Sequence, residues 1–100
     1  MSNDFFWLYI LKCADQSYYT GHTDSLEVRL AQHKSGANSN CYTATRLPIK
    51  LVYSEAFASR EEALTAERQV KGWSRRKKEA MIRGDWQMVS RLALSRANHE

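Results

Sequence analysis

Phe5-Phe6-Trp7-Leu8-Tyr9-Ile10-Leu11, a turn at Asp15-Gln16-Ser17, and then Tyr18-Tyr19-Thr20-Gly21 decide how this chain folds. The first run is rich in aromatics and β-formers and is apolar at odd and even positions alike, the pattern of a strand buried on both faces. The second run is close enough to pair with it antiparallel in a hairpin. Working outward, Asp24 with Glu27 three residues on reads as a capping box for a helix running to about Lys34, and Gly36 supplies its stop. The opening is therefore strand, turn, strand, helix.

Residues 36–48 are polar and turn-rich, with Asn38-Ser39-Asn40 at their centre, and predict a loop of a length that more often has a task than not. Ile49 to Phe57 reads as a half-buried third strand, with Ile49, Leu51, Tyr53 and Phe57 on one face and Lys50 and Ser54 on the other. Ser59-Arg60-Glu61-Glu62 is a capping box that opens a helix to about Trp73. Ser74 caps a basic helix from Arg75 to Arg83, and Gly84-Asp85 ends it and caps a last amphipathic helix through about Leu94. The expectation is an α+β (α/β) fold, a small three-stranded antiparallel sheet flanked by helices. A single domain spans residues 1–100, with its core over about 5–83 and the C-terminal helix over about 85–94.

A chain of 100 residues that is 43% hydrophobic can form one core but has no room for a separate binding module, so function must come from the core itself. Cys13 and Cys41 form no CxxC pair and belong to no cluster of zinc spacing, so neither a disulfide framework nor a structural zinc is implied, a pattern that suits a reducing cytoplasm. No run approaches the ~20 apolar residues needed to span a bilayer. Met1-Ser2-Asn3-Asp4 lacks the basic start of a signal peptide, so a soluble cytoplasmic protein is expected. A net charge of +4 and a pI near 9.3 favour an anionic partner.

A few residues break the hydrophobic pattern. On the first helix Leu26 and Leu30 define the inward stripe, and helical spacing sets Arg29 and His33 along the same side as i, i+4 neighbours. On the second helix Glu67 falls among Ala63, Leu64 and Val70, in the middle of the apolar face. A carboxylate there costs several kcal/mol unless it meets Arg29, a metal or open solvent. Tyr9 and Tyr19 on the hairpin complete a set that holds a cationic clamp, a carboxylate and proton-transfer groups, the parts that phosphoryl chemistry requires.

Trp7-Leu8-Tyr9, then Tyr19-Thr20-Gly21, then Arg29-Leu30-Ala31-Gln32-His33, and later Glu67 resemble in order and spacing the motifs of GIY-YIG nucleases. The resemblance covers about residues 5 to 83 and is closest to the short stand-alone members. Tyr42-Thr43 and Arg46-Leu47-Pro48 also look like that branch. Trp7 stands where the family often has Gly, and the family's Asn downstream of the Glu has no counterpart between Arg68 and Leu94.

The resemblance implies a metal-dependent endonuclease acting on nucleic acid, DNA ahead of RNA, with one Mg²⁺ or Mn²⁺ held by Glu67 and waters, and no small-molecule cofactor or membrane. Arg29 would neutralise developing charge, Tyr9 helped by His33 would accept the proton of the attacking water, and Tyr19 would position the phosphate. Arg46, Arg75, Arg76, Lys77 and Lys78 are the expected nucleic-acid contacts. The rival readings are a binding module that keeps the fold without cutting, and a protein-interaction domain using Trp73 and Trp86.

A basic core without a reading module predicts nucleic-acid binding that is weakly sequence-selective and falls as salt rises. A filter-binding titration from roughly 50 to 200 mM KCl checks this. Undetectable or salt-indifferent affinity would exclude both the nuclease and the binding readings.

Overall fold

The hairpin forms where the sequence places it. In a computed structural model, which describes residues 5–36 and 41–98 and side chains as far as residue 92, β1 (Phe6–Lys12) pairs antiparallel with β2 (Tyr18–Thr23). The turn is closed by Asp15, whose Oδ1 accepts from the Ser17 backbone N–H at 3.0 Å, and by Gln16 at φ 72°. Met1-Ser2-Asn3-Asp4 and the Asn38-Ser39-Asn40 centre of the expected loop lie outside the described residues.

β3 (Lys50–Phe57) pairs with the other side of β1, giving a three-stranded antiparallel sheet in the order β2-β1-β3. The central position explains why β1 is apolar at every step. Leu8 and Ile10 enter one core cluster, while Tyr9 and Leu11 enter another on the opposite face.

The third strand corrects one expectation. Ile10 pairs with Tyr53 but Leu11 pairs with Leu51, so Val52 is an extra residue in a β-bulge. The bulge breaks the two-residue alternation. Ile49 and Leu51 pack with Tyr9 and Leu11, whereas Tyr53 and Phe57 pack with Leu8 and Ile10 on the other face.

The first face is covered by α1 (Leu26–Ser35), through Leu26 and Leu30. Its N-cap is Ser25 rather than Asp24, because Thr23 Oγ1 accepts from Ser25 N–H at 3.1 Å and Asp24 turns to Arg60 at 3.6 Å. Gly36 stops it in the left-handed conformation, φ 68°.

The other face is covered by α2 (Arg60–Lys71), α3 (Arg75–Ile82) and α4 (Trp86–Asn98), which contribute Val70, then Ala80 and Met81, then Val89 to the core around Leu8 and Ile10. Ser59 Oγ caps α2 by accepting from Glu62 N–H, and Ser74 Oγ caps α3 from Lys77 N–H, both at 3.2 Å. Asp85 Oδ1 accepts from Met88 N–H at 3.1 Å to start α4. The expected end of α2 at Trp73 is corrected to Lys71, where Gly72 turns the chain, and α4 runs past Leu94 to Asn98. No helix among the described residues is long and apolar enough to cross a membrane.

Ile10 is fully buried between α2, α3 and the sheet, so Ile10→Ala should destabilise the fold by about 2–5 kcal/mol. Loss of one cap in Ser59→Ala should cost about 1 kcal/mol. Urea denaturation of the two variants checks both the size and the order of these effects.

Candidate active site

Tyr9 points toward α1 and lies directly over its cross-strand neighbour Gly21. A Cβ at residue 21 would fall 2.6 Å from Tyr9 Oη and 2.7 Å from Cζ, so the ring occupies the space a side chain would fill. There the phenol meets α1. Tyr9 Oη is 2.9 Å from His33 Nε2, and His33 Nδ1 is 2.7 Å from Thr43 Oγ1 in the 3-10 turn Tyr42–Thr45.

The protons in this chain can be assigned from its far end. Thr43 donates its hydroxyl hydrogen to Cys41 Sγ at 3.5 Å, so Thr43 Oγ1 accepts from His33 Nδ1–H and His33 Nε2 is left to accept from the Tyr9 hydroxyl. Burial, and after it the Arg29 charge, lower the His33 pKa below 6.5, so the imidazole is neutral at pH 7. Burial, and after it Tyr19, raise the Tyr9 pKa well above 10, and Arg29 offsets this only in part. The pair therefore rests as a neutral phenol donating to a neutral imidazole.

Tyr19 lies on the same face, its ring 5.1 Å from that of His33 and 6.2 Å from that of Tyr9. Both expected phenols thus share one surface with α1. Arg29 differs from expectation in being exposed rather than in the buried stripe, and no hydrogen bond or ion pair holds its side chain among the described residues. Its charge still acts on Tyr9, Tyr19, His33 and Cys41. For Cys41, burial raises the thiol pKa, but hydrogen bonds with Thr43 and Tyr19 and the Arg29 charge outweigh it and the pKa falls below 9.

Glu67 approaches from the other layer. Ala63, Glu67 and Val70 form the buried face of α2, and β2 is an edge strand, so the carboxylate lies beside the hairpin and its charge acts on both Tyr9 and Tyr19. The expected structural partner, Arg29, is not the one found. His22 of β2 binds Glu67 Oε1 through Nδ1, and Lys71, one turn on, binds Oε2 at 2.6 Å. Burial pushes the carboxyl pKa up, but these two partners outweigh it and hold Glu67 ionised.

A divalent cation fits this donor set in one way. The described residues contain no cluster of three His, Cys, Asp or Glu, so a metal here would have Glu67 and waters, a set that Mg²⁺ accepts. Glu67 Oε2 already carries a positive charge, the Lys71 ammonium.

The basic stretch is divided by the fold. Arg75 lies over the Tyr18 ring, pairs with Glu79 at 3.1 Å and donates to Gln16 O at 2.6 Å, and Lys77 is buried over the Trp73 ring at 4.1 Å. Of these four expected nucleic-acid contacts, Arg75 and Arg76 are exposed, Lys78 is half-buried and Lys77 is buried, so the stretch does not present one uniform row of cations. Arg46 stacks on Tyr42 at 3.8 Å and pairs with Asp15 at 3.2 Å. Trp73 packs against the core, whereas Trp86 is exposed.

His22, Lys71, Thr43 and Cys41 were not singled out in sequence as members of the site. Lys71 had a signal, its i, i+4 spacing from Glu67. His22 had none, because its place opposite Leu8 is set by the register of the hairpin.

Comparison with known proteins gives a consistent picture. The sequence model described as the GIY-YIG catalytic domain matches residues 5–80. A UPF0213 protein of Staphylococcus haemolyticus is 46% identical over 76 residues, 76% of this chain and 92% of the relative. Another, from Lacticaseibacillus paracasei, is 42% identical over 82 residues, 82% of this chain and 91% of the relative. The solution NMR structure of the UPF0213 protein BH0048 from Bacillus halodurans superposes with a TM-score of 0.52 at 45% identity, covering 78% of this chain and 82% of that one. That of the protein EF2693 from E. faecalis gives 0.58 at 34% identity, covering 87% and 93%.

NMR titration should give His33 a pKa below 6.5. Arg29→Met should raise it, because a neighbouring cation disfavours the imidazolium, without restoring 6.5, because burial is the larger cause. A His33 pKa at or above 6.5 in the wild type would contradict the proton assignment.

Proposed function

This chain belongs to the GIY-YIG family, and on that premise we propose that it is a metal-dependent endonuclease that hydrolyses phosphodiester bonds in DNA. The observation that carries the reading is the buried Tyr9 hydroxyl, which donates to a neutral His33 nitrogen while Arg29 and Glu67 act on the same phenol.

The raised Tyr9 pKa excludes a resting phenolate, so Tyr9 works as a relay. Its oxygen takes the proton of the attacking water while its own proton passes to His33 Nε2. Thr43 keeps His33 in the tautomer that can accept it. Arg29, exposed at the rim, offers its guanidinium to the phosphate as negative charge develops. Tyr19 positions the same phosphate from the hairpin. Glu67 and waters would hold one Mg²⁺ or Mn²⁺, which when bound supplies Lewis-acid polarisation of a phosphoryl oxygen. Arg46, Arg76 and Lys78 are the basic groups that we assign to the flanking phosphates.

Glu67→Gln keeps shape and removes charge, so Mn²⁺-dependent cleavage should fall by orders of magnitude. The melting temperature should change little, because Lys71 is half exposed and is not left as a buried unpaired charge. Chelation should abolish cleavage and leave binding. The measurements are cleavage of a panel of linear, nicked, branched and single-stranded substrates, together with thermal melts. A destabilised variant with unchanged specific activity would sink the assignment.

A further inference from the structure

The two oxygens of Glu67 are held by groups of unlike mobility. His22 is fixed by its strand, where it pairs with Leu8, and its side chain is 25% exposed. Lys71 is the last residue of α2, its side chain is 53% exposed, and a flexible four-carbon stem carries its charge. The carboxylate they share is 10% exposed. One grip is rigid and the other can be released.

The released ammonium has somewhere to go. Its charge already acts on the Tyr19 phenol, the group placed at the phosphate, and on Lys78. An ammonium and a divalent cation on the same carboxylate oxygen exclude each other. We propose that Lys71 is an exchangeable counter-ion: it occupies Glu67 Oε2 until a divalent cation takes that oxygen, and then becomes a ligand of the substrate phosphate. His22 stays on Oε1 throughout as the positioning residue. Metal and nucleic acid are thereby coupled, because loading Glu67 frees one more cation for the phosphate backbone. The inference rests on the proposed metal role of Glu67.

The test is Mn²⁺ titration of the full chain, followed by electron paramagnetic resonance, for wild type, Lys71→Met, Arg68→Met and Glu67→Gln. Glu67→Gln should lose the site. Lys71→Met should bind Mn²⁺ about two- to fivefold more tightly, the factor expected for removing a competing half-exposed ion pair. Arg68 is an exposed cation on the same helix, with no ion pair to Glu67 among the described residues, and its removal should change affinity by less than about twofold. Thermal melts confirm that the variants are folded, as expected for the exposed positions 71 and 68 and for the shape-conserving change at the buried Glu67.

The second readout is DNA affinity against salt in a Tyr9→Phe background that blocks the relay. With Mn²⁺ the slope should be steeper by about 0.9 with Lys71 than with Met, the value of one phosphate contact on duplex, and in EDTA the two slopes should agree. Unchanged Mn²⁺ affinity in Lys71→Met, or equal tightening in Arg68→Met, overturns the exchange while leaving the metal site standing. A slope difference that persists in EDTA also overturns it. Mn²⁺ binding that survives Glu67→Gln at full strength overturns both the exchange and the metal role of Glu67.

Discussion

The close approach of the Tyr9 ring to Gly21 is the constraint on which the site depends. With a Cβ position only 2.6 Å from Oη, no side chain can stand opposite Tyr9 on β2 without pushing the phenol away. The bare backbone leaves the ring room over residue 21, where its hydroxyl reaches His33 on α1. From there the order passes outward, His33 to Thr43 and Thr43 to Cys41, so a tight turn ten residues beyond His33 sets the tautomer of the imidazole that the hairpin phenol meets. Each link is a side chain that burial leaves little room to rotate.

Charge is distributed differently on the two sides of the sheet. The α1 side holds neutral polar groups whose ionisation burial opposes, with the Arg29 cation held out at the rim. The α2 side contributes the ionised carboxylate, kept charged by His22 and Lys71. The edge strand lets the two meet without putting an unpaired charge inside the core. The phenol–imidazole pair and the ionised carboxylate thus have separate environments a short distance apart. The family's Asn has no counterpart between Arg68 and Leu94, and in this chain the rigid hold on the carboxylate comes from His22.

Much of the architecture was legible because local patterns and global packing agree. Phe6 to Lys12 announced a central strand by being apolar throughout, and Ser59 and Ser74 announced two helix starts that their hydroxyls cap. Tyr53 was misassigned for a physical reason: alternation presumes an unbroken ladder, and one extra residue at Val52 reverses every face beyond it. The site was legible where periodicity sets the side, as for His33 and the inward-facing Glu67. It was hidden where the partner lies across space, since nothing along the chain says that a carboxylate at 67 will be met by a histidine at 22. The run from Arg75 to Lys78 shows what a row of like charges leaves unsaid, since Arg75 stacks on Tyr18 and Lys77 on Trp73.

The contacts that build the site also differ in the length of chain they enclose. Tyr9 and His33 are 24 residues apart, whereas His22 and Glu67 are 45 apart. The entropic cost of loop closure rises with that separation, so the contacts between the hairpin and α1 are cheaper to form than those that bring in α2. The same ordering governs partial opening. A fluctuation that lifts α2 from the hairpin breaks the contacts of longest range first, withdrawing the carboxylate while leaving the phenol and imidazole together. Accumulated heat damage or a destabilising core substitution on the α2–α4 layer would therefore remove the carboxylate half of the site before the phenol–imidazole half.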